Sequence, residues 1–423
     1  MGVSTRHGLR EHGAALPSPP LPEVRDLSSS SARIAETISF TVARGRSGLE
    51  SIRHEWQDLV DRPGAQVALA HAPPWYDAYL QTSADPDRVC FFVAHRRGEL
   101  VAIFPFERRF LFVLGVPLPA WVLLYHDHMP FSDVMARPEE LQTLIPSLLQ
   151  TLTREGTWLL VLARNVLVDS SAGTFTEDSS FGHRVERRRG DCHHLDCGQT
   201  YESLLASFSR KHRANLRRHR GNLSALGVLE TTTTSDLDAM ERCFGEFLEV
   251  EGSGWKGRAG EGTAIALHPD LEEYYRRLLR AFGSRGECEL NLLRLNGRCI
   301  AAQFCVTIGG VWYLLKIGYD EQYAKYSPGS LLLEDALIRL CARPEVKLAN
   351  LASDASWHLN WSPGSTGMTD RWLGAPGMIG GIAISLVRVR MRLANEFHRV
   401  RARVTARWTT LRRLMSPRAT NDA

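Results

Sequence analysis

The stretch ELNLLRLNGRCIAAQFCVTIGGVWYLLKIGY, residues 289–319, predicts three antiparallel strands joined by two tight turns. The turns are Asn296–Gly297 and Gly309–Gly310, and both residue types tolerate the positive φ angles that two-residue hairpin turns require. After a loop that ends in Ser-Pro-Gly-Ser, the apolar stretch 331–341 predicts a helix, and residues 346–352 predict a further strand. This order of elements predicts a mixed α/β domain.

The loop before that helix is suited to a phosphate group. Gly329 and Ser330 are small, so a phosphate oxygen could approach the backbone closely. The helix N-terminus offers free N–H groups and a partial positive charge, and Pro328 fits the first turn, where its missing N–H costs nothing. Many strand-to-helix turns share this composition, so the loop by itself leaves a purely structural role open.

The composition is that of a globular protein with more than one domain. The 423 residues are 44% hydrophobic and carry a net charge of +4, which by itself does not indicate nucleic-acid binding. The eight cysteines include no CxxC pair, so we expect reduced thiols in a cytoplasmic protein. The run Cys192–Cys197 is interpreted as an alternating strand, and no metal is expected. Residues 1–36 are predicted to be disordered, without a secretory signal.

Three further segments complete the predicted organisation. Residues 37–198 alternate between helical and strand-like patterns and predict a mixed α/β domain, and a second domain is expected over 199–370. Residues 376–415 predict a basic amphipathic helix, because arginines dominate while Leu386, Val389, Leu393, Phe397 and Val400 recur at helical spacing. Such a helix could lie on an anionic membrane or pack against the body of the protein.

Residues 203–363 resemble the GNAT-like domain of the CelD-like family, which is named for proteins encoded near cellulose and exopolysaccharide genes. The matching segments occur in the family's order: Ser209–Arg218, Gly254–Gly257 with Gly262–Ala264, Arg298–Gln303, Leu314–Glu321 and Tyr326–Gly329. The N-terminal half resembles the first half of such proteins loosely. The resemblance implies an α+β, tandem GNAT-like acyl-CoA N-acyltransferase fold with mixed, mostly antiparallel sheets flanked by helices.

The resemblance also implies an acyl-CoA donor, acetyl-CoA or longer. Its pyrophosphate would lie on the amides of Gly329 to Leu331, and its pantetheine arm along the strand that ends near Tyr319. Gln303 either faces the cleft between splayed strands or is an edge residue with its amide in solvent. The residues expected to bind the donor are Gln303, Tyr319, Tyr326, Ser327, Gly329, Ser330 and Leu331.

Catalytic residues are expected on the acceptor side. Asp354 and His358 follow the last strand and are candidates for a general base. The family usually has Lys at the position of His358, which leaves open whether this histidine acts or lies on a surface loop. Lys256 in the Gly-Trp-Lys-Gly segment either guides the acceptor or donor phosphates or is a solvated loop lysine. Trp255 and Arg213 are expected to contact substrate.

The expected function is acyl transfer to an amine or hydroxyl of a sugar, polysaccharide precursor or small amine by a GNAT-type N-acyltransferase. One alternative is a Fem-type transferase that uses aminoacyl-tRNA, with the basic residues 210–220 on RNA phosphates. Another is a non-catalytic GNAT-fold module in polysaccharide assembly. The expected location is the cytoplasm, with contact between the C-terminal helix and the inner membrane as a further expectation. The expected partner is a small-molecule or saccharide acceptor; nucleic acid is not expected outside the tRNA alternative.

Overall fold

The structure is a computed structural model that describes residues 38–62, 67–82, 85–254, 256–258 and 260–415. The predicted N-terminal segment 1–36 and Trp255 lie outside the described residues. Within the described ranges, the strands are β1 (Ile38–Arg44), β2 (Val89–Arg96), β3 (Glu99–Val113), β4 (Val116–Leu123), β5 (Leu160–Leu167), β6 (His183–Asp196), β7 (Leu229–Thr234), β8 (Cys288–Leu295), β9 (Arg298–Ile308), β10 (Val311–Tyr319), β11 (Leu348–Asn350) and β12 (Gly364–Gly374). The helices are α1 (Gly45–Val60), α2 (Pro73–Thr82), α3 (Pro138–Arg154), α4 (Ser171–Glu177), α5 (Tyr201–Ser207), α6 (Arg210–Ser224), α7 (Leu237–Gly252), α8 (Pro269–Gly283), α9 (Pro328–Cys341) and α10 (Met378–Met415).

The described strands form one sheet in the order β1-β2-β3-β4-β5-β12-β6-β11-β10-β9-β8-β7. In the first half, β1 to β4 are antiparallel neighbours, and β4 pairs in parallel with β5 after the crossover helix α3. The second half repeats this plan: β7 to β10 are antiparallel, and β10 pairs in parallel with β11 after α9. The fold is therefore α+β, with a mixed, mostly antiparallel sheet flanked by helices and one strand plan repeated in the two halves.

The two halves exchange their last strands. β12, which comes from the second half, lies between β5 and β6 and pairs antiparallel with both. In the same way β6, from the first half, pairs with β11 of the second. The predicted domains 37–198 and 199–370 thus contribute to a single sheet, and the boundary between them stays a prediction.

The predicted meander of the second half is present with its turns where the sequence placed them. Asn296 and Gly297 have φ angles of 51° and 79°, and Gly309 and Gly310 have 57° and 77°. These positive angles match the twist of the flanking strands. The pairing of β10 with β9 shifts register between Leu314 and Lys316, which marks a β-bulge.

Different helices cover the two faces of the second-half sheet. Side chains of α9 and α6 pack on one face. On the other face, α7 and α8 pack against β8 and β9 and continue into the core of the first half. Trp75 of α2 lies 5.7 Å, between ring centroids, from Phe282 of α8. The halves therefore share a hydrophobic core as well as a sheet.

Helix α10 occupies the stretch for which a basic amphipathic helix is predicted. Its residues Ala383, Ile384 and Val387 are buried in a small core with side chains of β3, β4 and β5. Beyond about residue 391, the described side chains of α10, as far as residue 397, are exposed. None of the helices in the described ranges is long and apolar enough to cross a membrane.

Candidate active site

A cleft of ≈ 330 Å³ opens where β10 ends and α9 begins. Its walls come from the end of α7, the loop after it, the last residues of β10, the first turn of α9 and the 3₁₀-helix Ser356–Trp361. The predicted site residues that line this cleft are Lys256, Tyr319, Ser327, Gly329 and Ser330, and Glu251 and Trp357 line it as well. Five of the predicted site residues thus lie around the same cleft, and their roles stay a prediction.

The N-terminus of α9 carries unusual backbone geometry. Ser327, the N-cap residue, has a left-handed conformation with φ 50° and ψ 53°, which is uncommon for a residue other than Gly, Asn or Asp. The N–H groups of Ser330 and Leu331 donate to the Ser327 carbonyl at 2.9 and 3.3 Å, and Pro328 has none. Leu331 does not line the cleft and its side chain is buried; the expected phosphate contact from its amide stays a prediction, as it does for Ser330. Gly329 offers the first-turn N–H for which the described residues provide no acceptor.

Gly329 also permits close packing of α9 on β10. A Cβ atom at this position would lie 3.1 Å from Cδ1 of Ile317, closer than an ordinary carbon contact of about 3.5–4.0 Å. Tyr319 lies on the same side of β10, with its Cδ1 atom 3.8 Å from that position. The glycine thus allows the helix N-terminus to come close to the strand that forms the other wall of the cleft.

Lys256 is fixed by two contacts at the cleft wall. Its Nζ lies 3.0 Å from Oε1 of Glu251 and donates to the carbonyl oxygen of Ile317 at 2.9 Å. The other carboxylate oxygen of Glu251 accepts from the N–H of Ile265 at 2.9 Å, and Glu251 is only 4% exposed. The solvated-lysine interpretation is therefore wrong. Lys256 neutralises a buried carboxylate and places a positive charge beside the cleft.

Several predicted donor or substrate residues lie away from the cleft. Gln303 is fully buried in β9, where its Oε1 accepts from Asn291 Nδ2 at 3.3 Å. The edge-strand interpretation of Gln303 is wrong, because β9 lies between β8 and β10. Its Nε2 has no partner among the described residues. Tyr326 is partly buried in the loop before α9, and Arg213 is partly exposed on α6.

The two acceptor-side candidates are in different surroundings. His358 is 1% exposed, and its Nδ1 lies 3.2 Å from Nδ1 of His193. Burial, and then the neighbouring His193, lower the pKa of His358 to about 4. The surface-loop interpretation of His358 is therefore wrong, whereas Asp354 is exposed. Neither lines the cleft, and a catalytic role for them stays a prediction.

A second cluster, which we call the seam cluster, was missed by the sequence reasoning. It consists of His126 and His128 from the loop after β4, Tyr275 of α8 and Lys316 of β10. His128 Nδ1 lies 3.1 Å from the Tyr275 hydroxyl, and Lys316 Nζ lies 5.9 Å from the Tyr275 ring centroid. The sequence offered only a weak indication of this cluster. The His-Asp-His run at residues 126–128 is not distinctive by itself, and its partners Tyr275 and Lys316 are distant in the chain.

Charged residues of the cleft affect the pKa of Lys316 in the seam cluster. Burial and then the charge of Lys256 lower the pKa of Lys316 to about 8, against the opposing effect of Glu251. Lys316 forms no ion pair with any described residue. Burial and the charge of Lys316 lower the pKa of His128 to about 3, so its imidazole is neutral at pH 7.

The corresponding loop of the first half, between β4 and α3, contains a buried carboxylate. Asp133 accepts from the N–H groups of Val134 at 2.9 Å and of Ala172, in α4, at 2.7 Å. Its other oxygen lies 3.1 Å from Nε2 of His71. This carboxylate thus satisfies backbone donors of its own loop and of α4. Within the described residues no cluster of three or more His, Cys, Asp or Glu side chains could hold a metal ion.

One protein family and several solved structures are similar to this chain. The family described as "Acetyltransferase (GNAT) domain" matches residues 210–355. The crystal structure of FemX is 11% identical, covers 75% of this chain and 95% of its own, and has a TM-score of 0.50. L-PGS from Bacillus licheniformis has 14% identity, covers 79% and 95%, and has a TM-score of 0.48.

A tandem GNAT protein from the clavulanic acid biosynthesis pathway is 14% identical, covers 81% of this chain and 100% of its own, and has a TM-score of 0.45. No curated protein matches the chain. The finer resemblance to the CelD-like family stays a prediction. Residues 210–355 match a GNAT acetyltransferase domain, and the repeated strand plan of the two halves agrees with the tandem fold that the sequence resemblance implies.

Proposed function

We propose that this protein transfers an acyl group from acyl-CoA to an amine or hydroxyl of a sugar, a polysaccharide precursor or a small amine. The observation that carries the proposal is the cleft between β10 and the N-terminus of α9, within the segment that matches the GNAT family. Helix N-termini stabilise phosphate groups through free N–H groups and the helix dipole. A cleft of this kind suits a long donor with a pyrophosphate at one end.

The residues that line the cleft suggest how the donor would bind. Its pyrophosphate would lie against Gly329 and Ser330, and its pantetheine arm would follow the edge of β10 at Ile317–Tyr319. Lys256 would lie beside the arm and contribute positive charge. Trp357 offers an apolar face on the opposite wall.

We infer that the acceptor binds on the side of β10 that faces α8. Ile317 and Tyr319 approach Gly329 of α9, whereas Lys316 projects toward Tyr275 of α8. Beyond Tyr313, β10 no longer pairs with β11, so a thioester held between these two strands would be open to the seam cluster. We assign to Lys316 the role of proton acceptor, because an amine with a pKa near the working pH is an effective general base.

The acceptor nitrogen or oxygen attacks the thioester carbonyl carbon, a new C–N or C–O bond forms, and the C–S bond breaks. The proton of the acceptor passes to the neutral amine of Lys316, and the CoA thiolate leaves and is protonated from solvent. Neutral His128 beside Lys316 orients the acceptor through a hydrogen bond without adding charge.

The test is the thermal stability of the protein with acetyl-CoA and with longer acyl-CoAs. A ligand that binds only the folded state raises the melting temperature as its concentration passes the dissociation constant. In Ser330→Glu an acid replaces the hydroxyl in the first turn of α9. Acids stabilise helix N-termini, so this variant should fold and yet repel the donor phosphates.

The matched control is Ser203→Glu, in the first turn of α5 and exposed. We expect an acyl-CoA to raise the melting temperature of the wild type and of Ser203→Glu by the same amount, and that of Ser330→Glu by much less. If no acyl-CoA stabilises the wild type, or if Ser330→Glu responds fully, the donor site proposed here is wrong.

A second candidate is transfer from aminoacyl-tRNA, which the exposed basic surface of α6 favours. Arg210, Lys211, Arg217 and Arg218 are exposed, whereas Arg220 is held by Glu334 at 2.8 Å and Asp335 at 2.6 Å. Contacts to RNA phosphates make affinity fall steeply with salt. Binding of tRNA that weakens with salt and with Arg217→Gln/Arg218→Gln, together with no response to acyl-CoA, would favour this candidate over the first.

A further inference from the structure

Asp370 of β12 is a buried carboxylate between two neighbouring strands. It is 1% exposed, and its Oδ1 accepts from the backbone N–H of Asn165 in β5 at 3.0 Å. Its Oδ2 accepts from Arg187 Nη2 in β6 at 2.6 Å and lies 3.7 Å from Nε of Arg189. Burial of a carboxylate is costly unless it is paired, so Asp370 holds the backbone of β5 and two arginines of β6 around itself.

Both strands beside β12 carry a β-bulge at the level of Asp370. Opposite residues 368–371 of β12, β5 and β6 each contain one residue more than β12. In β5 the irregular stretch includes Asn165, which has a φ of 48°. Arg164 lies in the bulge of β5 and Arg189 in the bulge of β6. Bulges change the direction of side chains and are frequent next to active sites, so the paired irregularity at this level indicates a functional arrangement.

Arg164, Arg187 and Arg189, which we call the arginine cluster, carry more charge than Asp370 neutralises. The guanidinium of Arg164 lies 4.7 Å from the ring centroid of Tyr125 and forms no ion pair with a described residue. The side chains of Arg187 and Arg189 are 46% and 37% exposed. Three guanidinium groups and one carboxylate leave a formal charge of +2. Because guanidinium groups bind phosphate through paired hydrogen bonds, this charge suits a phosphate dianion.

Three neighbouring acids leave this charge largely in place. Glu186 pairs with Arg371 at 3.2 Å, and Asp191 pairs with Arg188 at 2.6 Å. Asp127 is exposed, so water and salt screen its charge. The arginine cluster therefore remains a positively charged site.

The loop after β4 connects the arginine cluster with the seam cluster. Burial raises the pKa of Tyr125, whereas the charges of Arg164 and Arg189 lower it. Burial lowers the pKa of His126, the next residue, to about 4, and the charge of Lys316 contributes to this shift. The loop thus lies within electrostatic reach of the arginines on one side and of the proposed proton acceptor on the other.

We propose that the acyl acceptor carries a phosphate ester, which the arginine cluster binds while the amine or hydroxyl of the acceptor reaches the seam cluster. Arg164 and Arg189 donate to the phosphate oxygens, and Asp370 holds the arginines of β6 in position. The identification of the bound molecule as the acceptor rests on the proposed function. The phosphate site itself concerns residues outside the cleft, so it can be tested without a donor.

The test is the melting temperature of the full chain without acyl-CoA, titrated with inorganic phosphate, with phosphoethanolamine, and with ethanolamine and succinate for comparison. We expect the two phosphate compounds to raise the melting temperature as their concentrations increase, and ethanolamine and succinate to have little effect. Arg164→Gln/Arg189→Gln should weaken the binding of phosphoethanolamine at least about tenfold, because hydrogen bonds between charged groups are lost. Arg164→Gln alone breaks no ion pair with a described residue, so it should fold and still show a weaker response.

The matched control is Arg184→Gln/Arg188→Gln, which removes the same charge from two exposed arginines of β6. This control should respond to phosphoethanolamine as the wild type does, and so should Ser330→Glu, because the N-terminus of α9 is a separate site. The proposal is overturned if the control loses as much affinity as Arg164→Gln/Arg189→Gln, if succinate stabilises as well as phosphate, or if neither phosphate compound stabilises the wild type. Loss of the response in Ser330→Glu alone would place the phosphate at α9 and overturn it as well.

The response to acyl-CoA separates this proposal from the proposed function. Arg164→Gln/Arg189→Gln should be stabilised by acyl-CoA as much as the wild type, since the arginines do not line the cleft. If acyl-CoA stabilises the wild type and the phosphate compounds do not, the phosphate site is wrong and the donor site stands. If the phosphate compounds bind at the arginine cluster and no acyl-CoA binds, the arginine cluster is a phosphate site but its ligand is not an acyl acceptor.

Discussion

His128 Nδ1 lies 3.1 Å from the hydroxyl oxygen of Tyr275, and this hydrogen bond joins the loop after β4 to α8. It links the two halves of the chain beside the lysine to which we assign proton transfer. The adjacent Tyr274 is fully buried as well, but its hydroxyl has no hydrogen-bond partner among the described residues. Both tyrosines are buried, but only the hydroxyl of Tyr275 has a hydrogen-bond partner among the described residues.

This difference predicts opposite effects of one substitution. Tyr275→Phe should lower the free energy of unfolding by about 1–2 kcal/mol, because it removes a hydrogen bond and leaves His128 without its partner. Tyr274→Phe should leave the free energy unchanged or raise it slightly, since an unpaired buried hydroxyl costs free energy. Urea unfolding at pH 7 measures both. Equal losses in the two variants would show that the bond between the halves contributes nothing to stability.

The role of Lys316 predicts a pH dependence of the transfer rate. A base whose pKa is about 8 is neutral above that value, so kcat/KM should rise with pH and level off above about pH 8. Lys316→Arg keeps the charge but cannot lose a proton near this pH, and should lower kcat/KM at least about 100-fold. The stabilisation by acyl-CoA should be unchanged. A variant with a normal pH profile would remove Lys316 from the mechanism.

The same lysine predicts a pH dependence of stability. Its pKa in the folded protein, about 8, lies below the ordinary lysine value of 10.5, so between these values the unfolded chain holds the extra proton. The cost of burying the charge is therefore present below pH 8 and disappears as the pH rises toward 10.5. Lys316→Met should stabilise the protein on the order of 2 kcal/mol at pH 7, and less at pH 10. The exposed Lys347, changed to Met, is the control and should show no such trend.

The ion pair between Lys256 and Glu251 predicts that one substitution lowers the free energy of unfolding strongly. Lys256→Met leaves the carboxylate of Glu251 buried without its charged partner and should cost about 3–5 kcal/mol in urea unfolding. Glu251→Gln/Lys256→Met should recover part of that loss, because no buried charge is left. The exposed pair Arg88–Asp85, with N–O distance 2.9 Å, is the comparison, and Arg88→Met should cost less than about 1 kcal/mol. Similar costs at both sites would contradict the burial argument.

The exchange of β6 and β12 predicts that the halves fold together. Residues 199–415 alone would leave β11 and β12 without the strand that lies between them, and unpaired strand edges promote aggregation. We expect this fragment and residues 38–198 to be insoluble when produced separately and to form a soluble complex when co-expressed. Soluble, monomeric fragments with cooperative thermal unfolding would show that each half is independent.

Local signals in the sequence determined much of the second half. The turn Asn296–Gly297 and the start of α9 at Pro328 depend on the φ angles and missing donors of single residues, which neighbours in the chain do not change. The helix N-terminus that faces the cleft follows from these local preferences. For the same reason the predicted cleft residues Ser327, Gly329 and Ser330, which are consecutive or nearly so, were found together.

Only the tertiary structure decided which distant residues meet. Packing of elements across the sheet decides which side chains are buried, as for Gln303 and His358. It also decides which residues pair, as for Lys256 with Glu251 and His128 with Tyr275. The exchange of the last strands belongs here too, because the largely polar sequences of β6 and β12 carry no regular pattern that singles out one neighbour. Periodicity shows which face of an element is buried, but the choice of partner depends on shape and on the burial of charge, which arise only when the whole sheet has formed.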